Sequence, residues 1–110
     1  MQKTINIGGR EVALRSSAAT TYRYTQIFHE EFFDAMKTLM GGENDIEAID
    51  VAGKLAYVMN AQANNEDMNA LSAEKYIEWL DEFEFADFSD ALTDVLEIFM
   101  GSSKGSVSPK

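Results

Sequence analysis

The segment from Thr20 to Met40, TTYRYTQIFHEEFFDAMKTLM, constrains the fold more than any other part of the chain. Its 21 residues include three phenylalanines, two tyrosines and two methionines. It predicts one helix from about residue 18 to Met40, and at about 100° per residue several of its apolar side chains fall on one side. A stripe of that width normally packs on the protein's own core. The expected core stripe consists of Tyr24, Phe28, Phe32, Ala35 and Leu39.

A second apolar stripe lies beside the first, so the apolar arc covers roughly half of the helix circumference. One neighbouring helix covers less than that, and the remainder must face another part of the chain or a partner. Methionine side chains in the stripe are flexible enough to adapt to a partner's surface. A second copy of the chain would fit such a surface as well as a different protein. The stripe is our candidate partner-binding surface and consists of Tyr22, His29, Phe33, Met36 and Met40.

Two short β-prone runs precede this helix. TINI (4–7) and REVALR (10–15) flank the pair Gly8-Gly9. Glycines supply the positive φ angles that a two-residue hairpin turn needs. We therefore expect a β-hairpin over about residues 3–15.

Capping residues bound the first helix on both sides. Ser16-Ser17 offers an N-cap, because a serine hydroxyl accepts a hydrogen bond from a free N–H group of the first turn. We expect Gly41-Gly42 to end the helix in the left-handed C-cap conformation, which glycine adopts at low cost.

A second helix is expected from near Asp45 or Ile46 to about Ala63. Asn44 and Glu47 stand at capping-box spacing before it. Apolar residues on two faces indicate a central helix with neighbours on several sides. A small-residue face that permits close approach consists of Ile46, Ile49, Ala52, Gly53 and Ala56. A bulkier face consists of Val51, Leu55, Val58 and Met59.

Two shorter helices are expected after a polar loop. Ser72 caps the third helix, which covers residues 73–83. Asp87 or Ser89 caps the fourth, which runs to about Met100. The expected core stripe of the third helix consists of Tyr76, Ile77, Leu80 and Phe83.

These elements together predict a mainly α (α+β) fold. A compact bundle of about four helices follows the N-terminal hairpin in a single domain over residues 1–100. Gly101 closes the last helix. Residues 101–110 carry no apolar periodicity, and their composition predicts a flexible, disordered tail.

The acidic residues are concentrated in one part of the chain. Residues 66–97 hold eleven acids and one base, Lys75, while the rest of the chain is balanced, so the net charge of −10 comes from this segment. The negative electrostatic potential of such a segment excludes nucleic acid, which is also negatively charged, as a partner. It leaves two interpretations open: a solvated face, or a surface for a basic protein partner.

Several classes of protein are disfavoured by what the sequence lacks. The chain has no cysteine, which removes disulfides, thiolate metal sites and cysteine nucleophiles. No apolar run approaches the ~20 residues that cross a bilayer. The first twelve residues lack the apolar core of a signal peptide. We therefore expect a cytoplasmic protein without a membrane partner.

His29 and Trp79 are the side chains most suggestive of a site. His29 is the only histidine, and the positions where a second metal ligand would share its helix face hold Phe32 and Phe33. We expect a structural or interface histidine, with no catalytic residue, cofactor or metal. Trp79 lies off the core stripe of its helix, so it is either an edge residue packed within the chain or an exposed binding anchor.

The order and spacing of these segments resemble the tail assembly chaperones of long-tailed (siphovirus-like) phages and prophages of Gram-positive bacteria. The similar segments are VALR (12–15), YRYTQIFHEEFFDAM (22–36), LAYVMNAQA (55–63) and YIEWLDEF (76–83). The resemblance extends over about residues 3–100, and each motif alone is short. One position departs from it, since His29 stands where the pattern has a glycine after the phenylalanine.

The resemblance implies a non-enzymatic role in phage tail assembly. Such chaperones bind the long tape measure protein in the cytoplasm of the infected or lysogenic bacterial host. They keep it soluble until tail tube subunits polymerise around it, and they are absent from the mature virion. The tape measure protein is therefore the expected partner, with the tail tube protein as a further candidate. Many members also exist in a second form that ribosomal frameshifting extends at the C-terminus.

A different reading of the charge remains open beside this one. An acidic DNA mimic or inhibitor would occupy a basic surface of a host protein. It would carry its carboxylates along one elongated face, and its binding would weaken steeply with salt.

Overall fold

The structure, a computed structural model, describes residues 2–41 and 46–101. A two-stranded hairpin in these ranges is followed by five α-helices and a short 3-10 helix at Met68–Ala70. This confirms the expected fold class. Within the same ranges, none of the helices combines the length and apolar character that a bilayer crossing requires. The strands are β1 (Gln2–Ile7) and β2 (Arg10–Arg15), and the helices are α1 (Ala19–Phe28), α2 (Phe32–Met40), α3 (Ile46–Ala63), α4 (Ala73–Leu80) and α5 (Phe85–Phe99).

The hairpin forms where the glycine pair predicts it. Gly8 and Gly9 have φ angles of 63° and 88°, which suit the tight turn between antiparallel strands. Alternate side chains point inward, and β1 and β2 pack mainly on α5 and α3, respectively. The buried hairpin residues are Ile5, Ile7, Val12 and Leu14.

Side chains of α3 hold the outer edge of β2. The Asn60 amide donates to the carbonyl of Ala13 at 2.9 Å, and the Gln62 amide donates to the carbonyl of Arg15 at 2.6 Å. The same Gln62 amide donates to the Thr20 hydroxyl at 3.0 Å, and its side chain is fully buried. This polar seam fixes the hairpin and the start of α1 on the central helix.

The expectation of one helix from residue 18 to Met40 is wrong, because the chain breaks between α1 and α2. His29 adopts a left-handed conformation (φ 57°, ψ 38°), and its N–H donates to the carbonyl of Thr25 at 2.8 Å. Glu31 then begins α2, and its side chain accepts the N–H of Phe33 at 3.0 Å. The described residues therefore form five helices where we expected about four.

The ends of these helices agree only partly with the expected caps. The N-cap position of α1 is Ala18, which makes no side-chain capping bond, so the cap expected at Ser16-Ser17 is wrong. The hydroxyl of Ser17 still accepts the N–H of Ala19 at 3.2 Å. Gly41 has a right-handed conformation (φ −63°), so the left-handed cap expected there is wrong for this residue, which continues the helical backbone. Gly42 and the expected cap Asn44 lie outside the described residues.

The central position of α3 is confirmed, since α3 packs on β2 and on all four other helices. Gly53 provides the closest approach. A Cβ atom at this position would lie 2.6 Å from the hydroxyl of Tyr76 on α4. Ile46 is the exception on the small-residue face, because its side chain is 74% exposed at the start of the helix.

The third expected helix is shorter than predicted. Ser72 caps α4 by accepting the N–H of Lys75 at 3.1 Å, as expected. The helix ends at Leu80 rather than at Phe83, because the following turn tightens and the Phe83 N–H donates to the carbonyl of Leu80. Ile77 is exposed, so its placement on the core stripe is wrong.

The last helix begins earlier than predicted. Glu84 occupies the N-cap position of α5 without a side-chain capping bond. The expected caps Asp87 and Ser89 both lie inside the helix, where Asp87 in the first turn complements the positive end of the helix dipole. Gly101 follows α5 with a φ of 74°, consistent with its expected closing role. The predicted tail beyond Gly101 lies outside the described residues.

Candidate functional site

The structure divides the six candidate partner-binding residues into two groups. Four have exposed side chains: Tyr22, His29, Phe33 and Met40. Two belong wholly or partly to the chain's own packing: Met36 and Trp79. The second apolar stripe is therefore not one continuous surface, and the break at His29 separates Tyr22 on α1 from the residues of α2.

Two exposed apolar side chains of the predicted stripe lie on α2. Phe33 is 75% exposed and Met40 is 58% exposed. Their seven-residue spacing places them on the same side of the helix. The partly buried ring of Phe32 lies 6.4 Å from that of Phe33 and 5.5 Å from that of Phe99 on α5. We call Phe32, Phe33, Met40 and Phe99 the α2 face.

Met36 does not belong to this surface. It is only 9% exposed and lies in the hydrophobic core. Met36 lies next to Ala35 and three residues before Leu39, both of which are buried. These residues form the side of α2 that packs on α3, so Met36 is covered by the chain itself.

Trp79 packs inside an aromatic cluster. Its ring centroid lies 5.6 Å from that of Tyr57 on α3, 5.1 Å from that of Phe83 and 5.8 Å from that of Phe88 on α5. Arg10 of the hairpin lies over the ring of Phe83 at 4.9 Å. Trp79 therefore has the position of an edge residue packed within the chain, against α3, α5 and the loop residue Phe83.

His29 lies on an exposed bend rather than in a reactive cluster. Its side chain lines a shallow cleft of about 460 Å³, together with Ile27, Leu71 and Glu74. In the described ranges, no three side chains of His, Asp or Glu are grouped closely enough to hold a metal ion. The residue's clearest role is conformational, because its left-handed backbone ends α1.

A polar network connects the break to α3 and α4. The Lys54 ammonium pairs with Glu30 at 2.6 Å and with Asp50 at 3.0 Å. The hydroxyl of Tyr24 donates to Glu30 at 3.0 Å, and that of Tyr76 donates to Asp50 at 3.0 Å. Glu30 lies between His29 and the start of α2, so these contacts hold the bend against the central helix.

Burial and the two carboxylates change the acid–base properties of this network. Burial raises the pKa of Tyr24 above its ordinary value, and the hydrogen bond to Glu30 raises it further. Burial likewise raises the pKa of Tyr76, with a further rise from the charge of Asp50. For Lys54, burial lowers the pKa, but the bonds and charges of Glu30 and Asp50 outweigh it and leave the pKa raised. The network is therefore stable with neutral tyrosines and a charged lysine.

An acidic cleft of about 400 Å³ opens between α2 and α3 above this network. Within residues 2–41 and 46–101, Lys54 is the one base that lines it. The surplus of carboxylates gives the cleft a negative potential. Its acidic residues are Glu30, Glu31, Asp34, Glu47 and Asp50.

An apolar groove of about 290 Å³ lies next to this cleft, between the start of α3, the end of α4 and the start of α5. Asp50 lines both spaces. The sequence predictions missed the groove, because its walls come from three separate helices. Phe85, an apolar residue among acids, was the available signal. The apolar residues of the groove include Ile46, Ile49, Leu80, Phe85 and Phe88.

No protein-family model matches the chain, and neither the curated proteins nor the solved structures gave a match.

Proposed function

We propose that this protein is a non-enzymatic tail assembly chaperone that binds the tape measure protein and keeps it soluble until the tail tube polymerises around it. One observation carries the proposal: the α2 face presents Phe33 at 75% and Met40 at 58% exposure. Large apolar side chains exposed on one side of a helix are typical of a surface that binds another chain.

The chemistry of this surface suits an apolar helical client. Phe33 extends an aromatic row through Phe32 to Phe99, and Met40 adds a flexible side chain on the same side of α2. An amphipathic helix recognises such a surface through apolar residues spaced three and four positions apart. The net charge of −10 keeps the complex soluble while the apolar surfaces are covered.

Co-expression with the tape measure protein from the same genome tests the proposal. The client should become soluble and co-purify with this chain. Phe33→Asp should reduce the recovered client at least about tenfold, because it places a charge in an apolar contact. The matched control is Thr93→Asp, which adds the same charge at an exposed position of α5.

Two outcomes would overturn the proposal. One is a client that stays insoluble or does not co-purify. The other is a complex that Phe33→Asp leaves intact but that dissociates as salt is raised to about 0.5 M, since steep screening is expected of an acidic mimic and not of an apolar contact.

A further inference from the structure

We infer that the apolar groove between α3, α4 and α5 is a second binding site, and that it takes an amphipathic helix of the client whose apolar side is flanked by lysine or arginine. This inference rests on the proposed function in one respect, which is that the helix belongs to the client. The groove itself is distinct from the α2 face, and the two share no residue.

The shape of the groove suits side chains presented by a helix. Its floor is closed by Tyr76 and Phe88, which are 1% and 2% exposed. Its rim carries Ile46 and Phe85, which are 74% and 59% exposed and leave the opening apolar. A space of about 290 Å³ with this lining accepts a few apolar side chains. It is near the lower limit of ~300 Å³ for small-molecule pockets.

The polar surroundings of the groove define the charge of its occupant. Among the residues that the structure describes, Asp50 and Glu84 are its lining carboxylates, and no lysine or arginine lines it. Residues 73–88, which supply the α4 and α5 walls, contain six acids and a single base, Lys75. The acidic cleft adjoins the groove at Asp50. A helix with basic residues beside its apolar stripe would therefore be attracted here, whereas an acidic helix would be repelled.

Trp79 gives this site a built-in reporter. It is the single tryptophan of the chain. Its ring packs on Phe83 and Phe88, and both of these rings line the groove. Occupation of the groove changes the environment of that aromatic cluster, so Trp79 fluorescence should respond to a tryptophan-free ligand.

A pair of designed peptides tests the inference without the natural client. Both have about 18 residues with leucine at helical i, i+3, i+4 and i+7 spacing. One carries lysine at the remaining positions and the other carries glutamate. With the full-length protein, the lysine peptide should change Trp79 emission saturably. It should bind at least about tenfold more tightly than the glutamate peptide.

Variants with unchanged net charge separate the groove from general attraction to an acidic protein. Ile46→Ser combined with Phe85→Ser removes the exposed apolar rim and should weaken lysine-peptide binding about tenfold or more. Ile77→Ser is the matched control and should leave that affinity unchanged, because this exposed side chain of α4 lines neither the groove nor the α2 face. Circular dichroism should show the same helicity for all three proteins, because the substituted side chains are exposed.

Either of two results would overturn the inference. If the rim variant binds the lysine peptide as the wild type does, the peptide is held by charge alone. If light scattering without peptide shows an oligomer that the rim variant dissociates, the occupant is a second copy of this chain. The proposed function is tested separately, because it depends on whether the tape measure protein co-purifies. If the rim variant still recovers the client and still binds the lysine peptide, the groove is not a binding site. The proposed chaperone function would be unaffected by that result.

Discussion

The hydroxyl of Tyr76 occupies the space that a side chain at Gly53 would need, with an ideal Cβ atom only 2.6 Å from the oxygen. The same hydroxyl donates to the side chain of Asp50 at 3.0 Å. The glycine therefore lets a fully buried ring from α4 reach α3 and join the network around Lys54. A helix-weakening residue in the middle of α3 is explained by this contact.

Gly53→Ala is therefore expected to destabilise the protein, although alanine favours a helix by about 1 kcal/mol over glycine. The new methyl group displaces the Tyr76 hydroxyl, and overpacking of this kind costs about 1–3 kcal/mol. Urea unfolding measures the change. In a Tyr76→Phe background the oxygen is absent and the nearest ring atoms lie at 3.5 Å, so the same substitution should be neutral or stabilising. Equal effects in both backgrounds would contradict the assignment.

Alkaline pH should destabilise the protein more steeply than exposed residues alone explain. A pKa that is raised in the folded state gives stability that is complete below the ordinary value, near pH 10 for tyrosine, and is lost as pH rises above it. The pKa values of Tyr24 and Tyr76 are both raised. The free energy of unfolding should fall above about pH 10 by up to ~1.4 kcal/mol per pH unit for each tyrosine.

Urea unfolding from about pH 8 to about pH 11 measures this dependence. The raised pKa of Lys54 acts in the same direction. Tyr24→Phe should reduce the slope, whereas Tyr22→Phe is the control, because its ring is 69% exposed. A free energy that stays level to the top of this range would be inconsistent with the buried network.

His29→Gly should stabilise the protein. A left-handed backbone costs a residue with a side chain about 1 kcal/mol or more, and glycine adopts it freely. Thermal unfolding should show a higher midpoint for His29→Gly than for His29→Ala, which keeps the side-chain clash. A lower midpoint for glycine than for alanine would show that the bend at His29 does not form in solution.

The stability of two aspartate variants distinguishes the surface of α2 from its buried side. Phe33→Asp should change the free energy of unfolding by no more than about 0.5 kcal/mol, because Phe33 is exposed. Met36→Asp buries a charge in the core and should cost at least about 3 kcal/mol or prevent folding. Circular dichroism during urea unfolding measures both. A well-folded Met36→Asp protein would contradict the packing of α2 on α3.

Hydropathy periodicity was enough to predict much of the core. Tyr24, Phe28, Ala35 and Leu39 of the expected stripe are buried, whereas Phe32 is only partly buried at its edge. The hairpin and the end of α3 could also be predicted from the sequence, because glycine pairs and apolar spacing are local signals. Each of these predictions depends on neighbours in the sequence alone.

The bend between α1 and α2 could not be predicted in this way. No glycine or proline marks it, and apolar residues continue on one side through both helices. Glu30 is held by Lys54, which lies 24 residues later in the chain, so the decisive contact is tertiary.

The candidate site was only partly predictable for the same reason. Phe33 and Met40 followed from an excess of apolar residues that one helix face could not absorb. Met36 and Trp79 were placed by assuming straight or isolated helices, and packing on α3 and α5 altered both. The groove around Phe85 exists only once three helices have assembled.

The seam along β2 limits how another chain could be recognised along this strand. A sheet with a free edge can bind an unfolded segment by adding it as another strand, through backbone hydrogen bonds that ignore sequence. Here Asn60 and Gln62 already occupy the outward carbonyls of Ala13 and Arg15. This edge of the hairpin is closed to strand addition, so a partner that binds along β2 would have to be recognised by its side chains rather than by an extended backbone alone.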